Sequence, residues 1–397
     1  MVAVASDKGQ PVDVGRSPAL SILAISPVGV VGGAEIVLLT LLSGLEQRGV
    51  RTGLISLGEG PLVAEAALWG LRSVESGPRL SFHDPPSVLS AVRMMRWAAR
   101  AWRPDVLLSS HVKGQFLSRL ALPARRIGRV AILHDPPDRS RRDRLCGRFS
   151  EVRITSSEET RRAYVELGVR SAPTVIEPGV DRHRLTESAR RGTAEKVFAA
   201  CGLAPFGGPR ILMVGRMQRF KGGLDFIDMA DRLLRGRRGR SAQFLLIGPD
   251  EKNAPGMRAT LAREIASRGL EASVGLGERA EADDLAAAMA QATLLVHPAH
   301  AEPFGMVVVE ALALGTPVVA YAASGPRRIL TGGGGTLVAV GDVAALEANV
   351  ASALDDRRIL DHWRAGTQQA AARFDSSTMT ERYLSVLLAT SRRHRAS

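Results

Sequence analysis

The chain of 397 residues has two cysteines, Cys146 and Cys201, far apart and without CxxC or Cys/His spacing. That argues against a disulfide framework or a structural zinc site and leaves two buried thiols. Aromatic residues make up 4% of the sequence. No recognition-helix or single-strand stacking motif stands out, and the basic residues are not interleaved with Phe or Tyr. No nucleic-acid partner is therefore expected, even at a formal charge of +13. Long apolar runs are missing too. The longest stretch without a charge, Ser17 to Ala34, is broken by Pro18, Pro27 and three glycines, whereas a membrane-spanning helix needs about 20 mostly apolar residues. The N-terminus, MVAVASDKGQPVDVGRSP, lacks a basic head followed by an apolar core and a small-residue cleavage site. It does not read as a secretory signal, and a cytoplasmic protein is expected.

Charged residues are 23% and hydrophobic residues 45% of the chain, the balance of a globular protein, and the length suits two domains. The positive charge is uneven: residues 81–150 hold 14 Lys/Arg against 5 Asp/Glu, a net +9. Either an arginine-rich coding bias fills solvated faces here, or this window meets an anionic partner. Within it VLSAVRMMRWAARAWRP reads as a helix with Val88, Val92, Met95 and Trp102 on an apolar side and Arg93, Arg96, Arg100 and Arg103 over the remainder. A second cluster runs from Arg139 to Arg148. That composition suits an anionic membrane surface or a phosphorylated, lipid-linked molecule.

Short β-branched or aliphatic runs alternate with longer amphipathic stretches, as in LSILAIS (20–26), AEIVLLTLLSGLEQRG (34–49) and VRTGLISLG (50–58). This is the βαβ rhythm of a parallel sheet covered by helices. It continues through DVLLSS, VAILHD and VRITSS, pauses in a Pro- and Gly-punctuated stretch, and restarts with RILMVG (210–215), QFLLIG, ASVGLG, TLLVHP and TPVVAYA. Two doubly wound units joined near residues 178–208 are expected, with ligands at the C-terminal ends of the strands in the cleft between them.

The sharpest segment is AEPFGMVVVEALALGTPVVA, residues 301–320. Glu302 precedes a helix that starts after Gly305, and Glu310 falls in its second turn, roughly on the same side. Amides at such a helix start favour an anion, and carboxylates are strong acceptors for sugar hydroxyls. These residues resemble the retaining glycosyltransferases of family 4, whose Glu-x7-Glu pattern with Pro-Phe-Gly after the first Glu is matched by Glu302-Pro303-Phe304-Gly305 and Glu310. VGRMQRFKG is similar to the opening of that family's second domain, VGVVGGAEIVLL to its first strand, glycine loop and helix, and VAILHDPP more loosely to its strand-terminal histidine. The similarity runs from about residue 20 to 390, with two departures. Glu177-Pro178 stands where Pro-Asn is commoner, and Ser324-Gly325-Pro326-Arg327-Arg328 replaces the usual Gly-Gly-x-x-Glu.

The resemblance implies an α/β protein of GT-B architecture, two Rossmann-like doubly wound domains facing a central cleft. It would comprise a flexible N-terminus over residues 1–18, an acceptor-side domain over 19–190, a nucleotide-sugar domain over 191–375, and a helix over 376–397 that crosses back to the first domain and ends in a basic tail. It implies retaining transfer of a sugar from a nucleoside-diphosphate sugar, with no cofactor and, in the absence of an Asp-x-Asp site, no metal. Arg216, Lys221 and the amides of Phe304, Gly305, Met306 and Val307 would hold the diphosphate, Glu310 the ribose and Glu302 the transferred sugar. His134 would lie near the anomeric carbon, and Gly32 and Gly33 would let backbone approach the ligand. The acceptor would be a glycan, lipid-linked or small-molecule, met at the inner face of a membrane if the basic window serves that purpose. A nucleotide-sugar epimerase or hydrolase, or a non-catalytic sugar- or polyanion-binding protein, remains the rival on the same fold.

Overall fold

The computed structural model describes residues 20–71, 74–77, 79–122, 127–137, 151–169, 171–236, 242–250 and 256–395. The expected flexible N-terminus, Cys146 and the Arg139 to Arg148 cluster lie outside them. Two parallel sheets, each with helices on both faces, make two Rossmann-like domains.

In the first domain β1 (Ser21–Ser26), α1 (Gly33–Gln47), β2 (Arg51–Leu57), α2 (Leu62–Leu68), β3 (Val74–Gly77), α3 (Pro85–Trp102), β4 (Val106–Ser110), α4 (His111–Ala121), β5 (Gly128–Leu133), β6 (Val152–Thr155), α5 (Glu158–Glu166) and β7 (Thr174–Val175) follow in order. The sheet runs β3-β2-β1-β4-β5-β6-β7. Its central strands are buried at every position because both faces are covered, and their middles are apolar. One face packs on α1 through Val37, Leu38 and Leu41, the other on α3 and α4 through Val92, Met95 and Leu117. On α3, Arg93, Arg96, Arg100 and Arg103 are exposed as the amphipathic pattern requires. Trp102 is half-buried against Gly53, with the Arg51 guanidinium 4.0 Å above its ring.

The second domain carries α6 (Arg182–Arg191), α7 (Ala194–Ala200), β8 (Arg210–Val214), α8 (Gly223–Arg235), β9 (Gln243–Ile247), α9 (Met257–Ser267), β10 (Val274–Gly277), α10 (Ala282–Gln291), β11 (Leu294–His297), α11 (Met306–Ala313), β12 (Val318–Tyr321), α12 (Ser324–Leu330), β13 (Gly335–Val338), α13 (Val343–Asp355) and α14 (Arg357–Ala372). Its sheet, β10-β9-β8-β11-β12-β13, repeats the winding of the first. In both sheets the order reverses once, between β1 and β4 and between β8 and β11, and at these switch points adjacent loops diverge and leave a crevice. The chain passes between the domains twice, side by side. The Val180 amide donates to the Phe374 carbonyl (2.8 Å) and the Ser376 amide to the Val180 carbonyl (3.2 Å). The last helix, α15 (Ser376–Arg395), returns to the first domain, where Met379, Tyr383 and Leu387 enter the core beside α1. No helix among the described residues is long and apolar enough to cross a membrane.

Candidate active site

The second-domain half of the site is built from the loops after β8 and β11. They touch because Gly222, at φ +78°, has no side chain: a Cβ there would lie 1.9 Å from the Pro298 carbonyl oxygen. The His300 amide donates to the Phe220 carbonyl (2.7 Å) and locks the loops in register. This contact joins residues 81 positions apart: Lys221 Nζ lies 2.6 Å from Glu302 Oε2. His297, at the end of β11, places Nε2 3.2 Å from the same oxygen. Burial would raise the Glu302 pKa, but the hydrogen bond and charge of His297 and the charge of Lys221 outweigh it and hold the carboxyl at about 2. From α12, the Gly325 amide donates to the Glu302 carbonyl (2.9 Å). Behind the loop, Tyr321 Oη donates to Asp225 Oδ2 (2.6 Å), and His300 Nε2 lies 2.9 Å from that atom.

Gly305 caps α11 at φ +96°. Its carbonyl accepts from Val308 and Val309, so the Met306 and Val307 amides at the first turn have no intrahelical acceptor. The Phe304 side chain is turned away into the core, edge-on to Phe374 at 5.5 Å. Glu310, in the second turn, makes no side-chain hydrogen bond among the described residues, and desolvation raises its pKa to about 7. Arg216 is exposed on the loop that carries Lys221.

The first-domain half lies at the ends of β1, β4 and β5. Gly32 and Gly33 open α1, and buried Glu35 reaches back to accept the Gly32 amide at Oε2 (3.1 Å). Its other oxygen, Oε1, is 3.1 Å from Nε2 of His111, the residue directly after β4. Burial would raise the Glu35 pKa, and the hydrogen bond and charge of His111 more than offset it, leaving the carboxyl below its ordinary value. His134, directly after β5, lies with its ring centroid 5.4 Å from that of His111, and its Nε2 is 3.4 Å from Ser110 Oγ. Burial first, and the neighbouring His111 second, push the His134 pKa down to about 3. Its imidazole is neutral at physiological pH.

The halves meet where a Cβ built on Gly33 would lie 3.6 Å from Met306 Cγ. Lys221, Glu302, Gly305, Met306, Val307 and Glu310 thus stand on one wall and Gly32, Gly33 and His134 on the other. Sequence reasoning assigned no role to His297 or His111. His297 ends a strand and His111 directly follows one, which was the one available signal. Among the described residues no group of three or more His, Cys, Asp or Glu side chains is placed to hold a metal ion.

Two family models match the chain: Glycosyltransferase Family 4 over residues 31–184 and Glycosyl transferases group 1 over residues 203–370. Among similar proteins, 2-deoxystreptamine N-acetyl-D-glucosaminyltransferase of Streptomyces fradiae is 30% identical over 370 residues, covering 82% of this chain and 83% of that protein. D-inositol 3-phosphate glycosyltransferase 1 of Catenulispora acidiphila is 33% identical over 230 residues, covering 53% of this chain and 50% of that protein. The chain thus spans about half the length of that relative. Among solved structures, Anabaena Alr3699/HepE in complex with UDP and glucose superposes with a TM-score of 0.78 at 21% identity, covering 93% of this chain and 100% of that one.

Proposed function

The chain belongs to the family 4 glycosyltransferases and has their GT-B fold, and from that premise we propose that it moves a sugar from a nucleoside-diphosphate sugar to a hydroxyl of a polyhydroxylated acceptor. We further propose that it keeps the anomeric configuration and needs no divalent ion. The observation that carries this reading is the Lys221–Glu302–His297 cluster beside the open amides of α11, whose Met306 lies across from Gly33. A departing diphosphate gains negative charge, and Arg216, the Met306 and Val307 amides and the two N–H bonds of Lys221 not given to Glu302 can take it up. Glu302, ionised well below neutrality, accepts hydroxyls of the transferred sugar. Glu310 accepts the ribose hydroxyls, and neutral His134 contacts the sugar near its anomeric carbon. In the transfer, the C1–O bond to the diphosphate breaks as the acceptor oxygen bonds to C1 on the same face, and the acceptor proton passes to the departing phosphate oxygen.

Two relatives are named for cyclitol acceptors, inositol phosphate and 2-deoxystreptamine. We take a cyclitol, free or lipid-linked, as the acceptor class and UDP as the first base to try. The exposed arginine face of α3 supports a peripheral contact with an anionic membrane from the cytoplasmic side. The test is thermal shift and hydrolysis across UDP-, GDP-, ADP- and dTDP-sugars with EDTA present, then NMR of the new glycosidic bond. Stabilisation by one sugar nucleotide, transfer in EDTA and a retained anomer support the reading. Loss of activity in EDTA or an inverted product overturns those two parts, and no response to any donor overturns the transferase reading.

A further inference from the structure

Glu35 and His111 stand outside the donor contacts proposed above, yet the fold spends two unusual features on them. Glu35 is a carboxylate 4% exposed, with one oxygen on the Gly32 amide and the other on an imidazole 76 positions away. Capping the turn needs just one of these oxygens. His111 has φ +65°, and among the described residues Arg103 is the only other non-glycine with positive φ. Arg103 ends α3, where left-handed backbone is ordinary, whereas His111 sits at a helix start, where it is not. That conformation is strained in an L-residue and persists where the surroundings over-determine it. It sets the His111 ring between Glu35 and His134, with the side chain 31% exposed at the first sheet's switch point.

The hydrogen bonding fixes the ring's chemistry. An ionised carboxylate only accepts, so Nε2 of His111 carries a proton, and in the Nε2–H tautomer Nδ1 keeps its lone pair. A hydroxyl can donate to that nitrogen. We propose that Glu35 and His111 form the acceptor anchor of this site, His111 taking the hydrogen bond of an acceptor hydroxyl on a polyhydroxylated ring and Glu35 acting through it as a positioning residue. The anchor rests on the transferase reading and adds the first-domain half of its chemistry. It takes no proton in the reaction, which still passes to the departing phosphate. His111 sets where the attacking ring stands.

The test uses His111→Asn, since asparagine tolerates positive φ, and Glu35→Gln, whose amide oxygen can still cap Gly32. UDP affinity is measured by titration calorimetry. Transfer is measured with the sugar nucleotide that most stabilises the wild type, offered 2-deoxystreptamine, D-inositol 3-phosphate and glucose. The expected result is UDP affinity within about twofold of wild type in both variants and acceptor kcat/KM lower by about 10- to 100-fold, the range for one hydrogen bond to a charge-supported group. Most of the loss should fall in acceptor KM, and the double variant should be no worse than the worse single one. Unchanged transfer in both variants overturns the anchor. So does a loss of UDP affinity that parallels the loss of transfer, since that marks a structural or donor-side role. UDP binding by a wild type that transfers to none of the three acceptors overturns the transferase reading instead, and the anchor falls with it.

Discussion

Glu302 and Glu310 are one residue type in two electrostatic states. Glu302 has a cation and an imidazole within hydrogen-bond reach and ionises near pH 2, whereas Glu310 has burial alone and ionises near 7. The consequences for pH have opposite signs. Glu302, depressed from 4.5, contributes stability that is present above 4.5 and lost as pH falls toward 2. Glu310, raised from 4.5, contributes stability that is present below 4.5 and lost as pH rises through 7. Glu310→Gln removes that loss, so its gain in Tm over wild type should grow between pH 5 and pH 8. Donor affinity should weaken in the wild type as pH drops below 7, because the protonated carboxyl is a poorer acceptor for ribose, and should be flat across that range in Glu310→Gln. A Tm difference independent of pH would show that Glu310 is not desolvated. For the cations, Arg216→Ala and Lys221→Ala should each lower kcat/KM by about 2–4 kcal/mol in transition-state terms, the size of a lost electrostatic donor. Lys221→Ala should also move acid unfolding to higher pH, since Glu302 loses a partner. Near-wild-type kinetics in both folded variants would remove the diphosphate clamp.

At the scale of elements, the central strands were legible because each is buried on both faces and so carries a short run of consecutive apolar residues. β3 (VESG), β7 (TV) and β13 (GTLV) were not legible: they are sheet edges, short and partly exposed, and carry little hydrophobic pattern. Helix α11 and both of its glutamates could be placed from sequence, but the Lys221–Glu302 contact could not, since it depends on two loops meeting at Gly222. The two departures from the family pattern were visible, and their pairing was not. Arg328 on α12 grips Glu177 at the interdomain crossing with two nitrogens, Nη2 to Oε2 at 3.0 Å, across 151 positions. Because α12 also donates from Gly325 to the Glu302 carbonyl, this pair links the crossing to the site. It is partly exposed, so its coupling should be about 0.5–1 kcal/mol. Arg328→Glu sets two carboxylates together and should raise donor KM severalfold, and the swap Glu177→Arg/Arg328→Glu should restore most of it. Strict additivity in that double-mutant cycle would reduce the pair to surface decoration.

Over the whole molecule the charge excess has a location that composition could only suggest. α3 and α4 contain no acidic residue, and Arg93, Arg100, Arg103, Lys113 and Arg119 are exposed on them. Arg96 Nε donates to the Ala121 carbonyl at 2.8 Å and ties the two helices together. Trp97, Leu89 and Leu120 stand out among these charges at 55%, 49% and 46% exposure. Sequence reading put the apolar residues of α3 on its core side and missed Trp97, because periodicity alone does not separate a buried tryptophan from one at an interface. Basic side chains interleaved with exposed Trp and Leu match the headgroup region of an anionic bilayer, where each Lys or Arg contributes about 1 kcal/mol and an aromatic ring finds a half-polar setting. A solvated arginine face would explain the charges but leaves Trp97 in water. Co-sedimentation should therefore show binding to phosphatidylglycerol-containing vesicles at low salt, weaker binding at physiological salt as the charges are screened, and little to phosphatidylcholine alone. Arg93→Glu/Arg100→Glu should abolish it, and Trp97→Ser should weaken it at every salt concentration. Equal binding to both vesicle types, or binding indifferent to both variants, would return the excess charge to coding bias.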